Sequence, residues 1–145
     1  MKSIYFDMDG TIADLYGVSG WLDSLQEEDT KPYALAKPMM DMKRLATMLS
    51  ALKNRGYHVG VISWTSKNGS EEYNQKVAEV KINWLRKNLL AVLMDEIKIV
   101  PYGTPKSEAV DFPAGILFDD EENNRTNWTG KAYTPEYIID VLKAL

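Results

Sequence analysis

Cysteine is absent from the 145 residues, which removes disulfides, thiolate metal sites and thiol nucleophiles together and fits a reducing compartment. Histidine occurs once, as His58, which excludes a zinc site of several imidazoles and nearly excludes a serine–histidine–aspartate triad. No long hydrophobic run opens the chain. One lysine and a short apolar run precede a carboxylate at Asp7, a pattern of neither a signal peptide nor a membrane span, so the expectation is a soluble, cytoplasmic protein. Basic residues are scattered and the net charge is -4, so no electrostatic footprint for wrapping duplex nucleic acid is present. A small phosphorylated substrate, its charge neutralised locally by a metal, is compatible with that balance.

What is there is ordinary globular composition, 45% hydrophobic and 26% charged, in a length that fits one domain over residues 1–145. Ser3 to Phe6 reads as a first strand ending at Asp7, with Gly10 in the loop behind it. Ala13 to Leu25 has mixed helical spacing. Gln26 to Pro38, carrying Pro32 and Pro38, reads as irregular structure, so residues 13–38 are expected to form a small cap, lid or loop insertion. Met42, Leu45, Ala46, Leu49 and Leu52 recur at helical spacing ahead of a capping Gly56. Val59 to Ile62 make a second strand ending at Ser63. Tyr73, Val77, Val80, Trp84 and Leu85 share one face of a helix running to about Leu90. Ile97 to Val100 form a third strand, Gly115 to Phe118 a fourth, Lys131 to Tyr133 a short further one, and Pro135 to Leu142 a closing helix. Strands alternating with helices imply an α/β fold: a doubly wound, Rossmann-like parallel sheet with helices on both faces.

In such sheets ligands bind beyond the carboxyl ends of the strands. The polar residues there are Asp7 and Asp9 after the first strand, Ser63 after the second, Lys106 after the third, and Asp119 with Asp120 after the fourth. Carboxylates, one hydroxyl and one ammonium form a set able to hold Mg2+ and a phosphate at once.

Asp7-Met8-Asp9-Gly10-Thr11 resembles the first motif of the haloacid dehalogenase superfamily, in its phosphatase branch. Val59 to Ser63 resembles the second motif, Lys106 the third, and Ile116 to Asp120 the fourth, in the family's order. The resemblance implies a magnesium-dependent phosphatase in which Asp7 is the nucleophile and Asp9 the acid/base; an aspartate needs no deprotonation at neutral pH, and its acyl phosphate is open to water. It further implies that Asp7, the backbone carbonyl of Asp9 and Asp119 hold the metal, with Asp120 supporting that shell. Ser63 would donate to a phosphoryl oxygen, Lys106 would neutralise nucleophile and phosphate, and Gly10 would let backbone amides approach the phosphate. Lys81-Ile82-Asn83-Trp84-Leu85, and Phe118-Asp119-Asp120 followed by Asn124, are similar to the 5'-deoxyribonucleotidase-like branch. That likeness implies a nucleoside 5'-monophosphate as substrate, under a cap shorter than those enzymes carry.

Each residue also has a plainer reading. Thr65 competes with Ser63 as phosphate ligand, Lys98 and Lys67 compete with Lys106, and the acidic run from Asp119 could be a solvated turn. His58 precedes the second strand, away from the strand ends, and is read as a surface or packing residue. Trp64, beside Ser63, is expected to line the substrate entrance. Two other function classes use similar parts: a receiver-like phospho-signalling domain, whose acceptor aspartate would sit mid-chain where this sequence has Ser63, and a catalytically silent binding protein that keeps the fold.

Overall fold

The computed structural model describes residues 1–88, 90 and 93–145. Five parallel strands make the central sheet: β1 (Ser3–Phe6), β4 (His58–Trp64), β5 (Glu96–Val100), β6 (Ile116–Phe118) and β7 (Lys131–Tyr133), in the order β5-β4-β1-β6-β7. β1 is central, and all four of its residues are buried because both faces of the sheet are covered. It pairs Ile4 with Val59 on one side and with Ile116 on the other. The chain runs outward from β1 to β5, then returns to the far side of β1 for β6. The gap between the ends of β1 and β6 is therefore where the winding reverses, the place a ligand crevice forms in open sheets.

Side-chain alternation divides the core. Ile4, Phe6, Val59 and Val61 point to one face and meet Leu45, Leu49 and Leu52 of α3 (Met42–Asn54), Trp84 and Leu85 of α4 (Glu71–Lys87), and Ile138 and Leu142 of α7 (Ile138–Ala144). Tyr5, Ile62 and Leu117 point to the other. That second face is covered by shorter pieces, Val110 just after α5 (Lys106–Ala109) and Trp128 just after α6 (Glu122–Thr126).

The long helices begin and end where the sequence places the signals. Asp41 caps α3 by accepting from the Arg44 amide at 3.1 Å, and Gly56 follows with φ +94°, a left-handed conformation that glycine adopts without steric cost. Ser70 caps α4 through the Tyr73 amide at 3.1 Å. Glu71 and Glu72 lie in its first turn, with Arg86 and Lys87 in its last, each sign complementing the helix dipole. α4 ends at Lys87, short of the expected Leu90; residue 89 lies outside the described residues.

The segment between β1 and α3 is more ordered than expected over Gln26 to Pro38, the part read as irregular. It holds an antiparallel pair, β2 (Ala13–Asp14) with β3 (Lys37–Pro38), and two short helices, α1 (Trp21–Gln26) and α2 (Lys31–Leu35). Pro32 lies in the first turn of α2, where its missing amide hydrogen costs nothing. Leu15 and Tyr33 of this segment pack on Tyr73 and Val77 of α4. The Trp84 indole donates to the Ala36 carbonyl at 2.7 Å, and the Tyr73 hydroxyl to the Asp29 carbonyl at 2.8 Å. Among the described residues no helix is long and apolar enough to cross a membrane.

Candidate active site

Ladder hydrogen bonds run past the ends of the strands and set the floor of the site: the Asp7 amide donates to the Phe118 carbonyl at 2.9 Å, and the Asp119 amide to the Tyr133 carbonyl at 3.1 Å. The side chains of Asp7 and Asp119 thereby face each other across the winding reversal. Lys106, at the start of α5, lies between them with its Nζ 2.9 Å from Asp7 Oδ1 and 2.6 Å from Asp119 Oδ2. Of the lysines weighed against it, Lys67 lies at the cavity rim and Lys98 in the edge strand β5, and neither bridges the two aspartates. Burial pulls the Lys106 ammonium down, and the two carboxylates beside it more than offset that, so it is held above the ordinary lysine range and stays charged.

Asp7, Asp119 and Asp120 bring carboxylate oxygens within 4.8 Å of one another. Burial and then repulsion from Asp7 raise the Asp119 carboxyl to about 6, with Lys106 opposing. The same two causes, burial first, push Asp120 up to about 8. Three carboxylates sharing one ammonium are short of positive charge, and an oxygen-rich set of this spacing fits a hard divalent cation such as Mg2+. The two acidic neighbours are not equivalent. Asp119 is fully buried, and both its oxygens already accept from the protein, Oδ2 from Lys106 and Oδ1 from the Glu121 amide at 2.9 Å. The Asp120 carboxylate meets the Thr11 hydroxyl at a long 3.5 Å, and it borders a second cavity of about 580 Å³ that Asp7 does not line.

Thr11 ties the loop to both walls. Its hydroxyl lies 3.1 Å from Asp7 Oδ2 and accepts from the Asp120 amide at 3.2 Å. Gly10 has a different part from the expected one. Its amide donates to the Ala13 carbonyl at 2.9 Å and is not free for a phosphate. Its backbone has φ +79°, and a Cβ there would come within 2.3 Å of Asp120 Oδ2. Gly10 thus supplies the turn and the room for Asp120. Gly10→Ala is expected to cost about 1–2 kcal/mol from backbone strain alone, read as a lower urea midpoint, and to weaken magnesium-dependent thermal stabilisation by displacing Asp120.

A cavity of about 270 Å³ lies over Asp7 and Asp9, with Ser63, Trp64 and Lys106 in its wall. Ser63 lines it and Thr65 does not; the Thr65 amide bonds the Val100 carbonyl and continues the ladder. Trp64 is fixed by its indole donating to the Thr104 carbonyl at 2.8 Å, and its ring packs on Tyr102 at 4.8 Å. On the opposite rim Tyr16 and Trp21 form an edge-to-face pair at 4.9 Å. These come from the 13–38 segment, which therefore supplies part of the cavity wall.

One residue of the site is not singled out by the strand-end pattern. Lys81, fully buried in the middle of α4, places its Nζ 2.7 Å from Asp9 Oδ2, 2.8 Å from Ser63 Oγ and 2.7 Å from the Trp64 carbonyl. Burial raises the Asp9 carboxyl above the usual range, and Lys81 opposes it. The available signal is periodicity: Tyr73, Val77, Lys81 and Leu85 recur every four residues, which sets a lysine in the buried stripe of α4. Of the two expectations for His58, surface or packing residue, the structure shows packing, against Tyr5 and Phe112. Its Nε2 lies 2.7 Å from Glu96 Oε1 at the start of β4 and β5, remote from the strand ends, and Glu96 also accepts from the Tyr5 hydroxyl. It anchors Tyr5 beneath the sheet.

No protein-family model matches the chain, and no curated protein sequence matches it. Solved structures do match. The D,D-heptose 1,7-bisphosphate phosphatase of B. bronchiseptica, in complex with magnesium and phosphate, superposes with a TM-score of 0.56 at 11% identity, covering 97% of this chain and 87% of that one. The D,D-heptose 1,7-bisphosphate phosphatase of Burkholderia thailandensis gives a TM-score of 0.55 at 13% identity, covering 97% and 85%. At these identities the likeness is one of fold: an α/β domain built on a five-stranded parallel sheet.

Proposed function

We propose that this protein is a magnesium-dependent phosphomonoester hydrolase working through an aspartyl phosphate on Asp7. The observation that carries the reading is the Asp7–Lys106–Asp119 bridge with Asp120 beside it, assembled from three separate stretches of chain at the winding reversal. Asp7, the backbone carbonyl of Asp9 and Asp120 would hold the cation. The occupied oxygens of Asp119 favour Asp120 as the second carboxylate ligand, the reverse of the sequence expectation, and leave Asp119 to hold Lys106 in place. When bound, the ion would supply positive charge against the phosphoryl oxygens.

Asp7, its second oxygen steadied by Thr11, attacks phosphorus through a carboxylate oxygen while the bond to the ester oxygen breaks. Asp9 gives its proton to that leaving oxygen, so an alcohol departs. In the second half Asp9 takes a proton from water, the water oxygen attacks phosphorus, and the bond to Asp7 breaks to release inorganic phosphate. Lys106 and the Ser63 hydroxyl face the phosphoryl oxygens throughout, the lysine offsetting the repulsion between two anions.

For the substrate we propose a nucleoside 5'-monophosphate. The two aromatic pairs at the rim, Tyr16 with Trp21 and Trp64 with Tyr102, suit a planar ring. The segment 13–38 serves as a small cap over a single domain. Sugar bisphosphates, the substrates named for the two structural relatives, are the other arm of the test. Phosphate release from nucleoside monophosphates, sugar phosphates, phosphopeptides and an aryl phosphate should need magnesium, stop with chelator and be fastest with the nucleotides. Faster release from sugar bisphosphates would overturn the substrate, and no release from any of them would overturn the activity. A receiver-like domain would instead acquire a phosphoryl group without turnover, and a silent binding protein would do neither.

A further inference from the structure

We infer that Lys81 is a positioning residue that sets the proton donor and the phosphate-binding hydroxyl of the site with one buried ammonium. The inference rests on the phosphatase reading above and adds to it a group that does not itself border the cavity.

An ammonium has three hydrogens and no lone pair. Lys81 uses all three, on Asp9 Oδ2, Ser63 Oγ and the Trp64 carbonyl, at 2.7, 2.8 and 2.7 Å. Its fourth neighbour is the Tyr33 ring, 5.0 Å from the nitrogen, which closes the site from the cap side. A lysine fully removed from water is costly to keep charged, and one carboxylate would suffice to neutralise it. The acceptors here are instead the acid/base carboxylate, the phosphate-binding hydroxyl, and the backbone at the end of the strand that carries that hydroxyl.

Two consequences follow from donor and acceptor count. Ser63 Oγ accepts from Lys81, and Lys81 can accept nothing in return, so the Ser63 proton must be donated elsewhere; the cavity it lines is where the substrate's oxygens would sit. Asp9 has Oδ2 fixed by Lys81, and among the described residues no donor reaches Oδ1, which leaves that oxygen for the leaving group. Without Lys81 the Asp9 side chain regains rotamer freedom and the Ser63 hydroxyl can turn inward. Lys81 acts through these two and touches no reacting atom.

The test uses leaving-group dependence in kcat/KM, which reports only steps up to formation of the aspartyl phosphate. An alkyl phosphate needs its leaving oxygen protonated, whereas 2,4-dinitrophenyl phosphate does not. Lys81→Met and Lys81→Gln are expected to lower the alkyl-to-dinitrophenyl ratio by about tenfold or more, within the range that outer-layer partners contribute. Placed on an Asp9→Asn background, either change should leave the ratio unaltered, because its target is gone. A wild type that cleaves both esters, with variants that lose both equally, overturns the role of Lys81 and leaves the phosphatase standing. Loss of the native near-ultraviolet circular dichroism in both variants assigns Lys81 to the fold alone and overturns it too. A wild type that cleaves neither ester overturns the phosphatase reading itself.

Discussion

Asp7→Asn is expected to lower magnesium-dependent phosphate release by about four orders of magnitude or more, as loss of a nucleophile does when no neighbour can replace it. Asp9 is not placed to stand in, since Lys106 and Thr11 engage the Asp7 carboxylate while the Asp9 carboxylate is tied to Lys81. The same change should leave the metal-free fold intact or make it firmer. The introduced carboxamide keeps a carbonyl that can accept from Thr11 or from Lys106, Lys106 keeps Asp119, and the site loses one of three mutually repelling carboxylates. Repulsion from Asp7 is, after burial, the next cause of the raised Asp119 and Asp120 carboxyls, so removing it relieves the folded state. The thermal midpoint in chelator should therefore match or exceed that of the wild type, while the increment added by excess magnesium shrinks because a ligand is missing. A variant that keeps near-normal turnover refutes Asp7 as nucleophile. One that loses activity only because it unfolds refutes the electrostatic account of the site.

The sequence carries the strand ends plainly, because a short apolar run halted by a carboxylate or hydroxyl is a local pattern. Asp7, Ser63 and Asp119 each follow directly on such a run, and parallel winding alone brings them to one rim. Lys81 is not legible in that way. Its helix reads as amphipathic whether the lysine points to solvent or to Asp9, since a long side chain even within an apolar stripe can snorkel outward; the difference lies in Tyr33, whose ring is 5.0 Å from its nitrogen. The stretch from Gln26 to Pro38 reads as irregular because proline interrupts it. Pro32 instead occupies the one turn of a helix that tolerates proline, and the helix is held by tertiary contact of Tyr33 with α4 more than by its own propensity. The division proposed between Asp119 and Asp120 is likewise beyond a sequence pattern, because adjacent residues in one acidic run differ here in burial and in which oxygens the protein has already engaged.

Lys106→Met should be the most destabilising single change in the site, by contrast with Asp7→Asn. It removes the cation that sits between Asp7 and Asp119, 2.9 and 2.6 Å from their oxygens, and leaves two buried carboxylates without that compensation. Breaking a buried pair from one side costs about 3–5 kcal/mol, which urea unfolding in chelator would register as a lowered midpoint, together with loss of phosphate release. The pH dependence has a definite sign. Asp119 already stands at about 6 in the folded protein against an ordinary 3.8, and Lys106 is among the groups holding it down; without the lysine it rises further. A carboxyl whose folded pKa is raised lowers stability at pH values above that pKa, and the loss fades as pH falls toward the unfolded value. The deficit of Lys106→Met relative to wild type should thus be largest near pH 8 and shrink toward pH 5, where the carboxylates accept the protons that replace the ammonium. Magnesium should narrow it at high pH by the same logic, now with a different cation. A deficit that does not change between pH 5 and pH 8 would mean that Lys106 contributes packing against the Trp64 ring, 5.2 Å from its nitrogen, and that the bridge between the two aspartates is not what holds the site together.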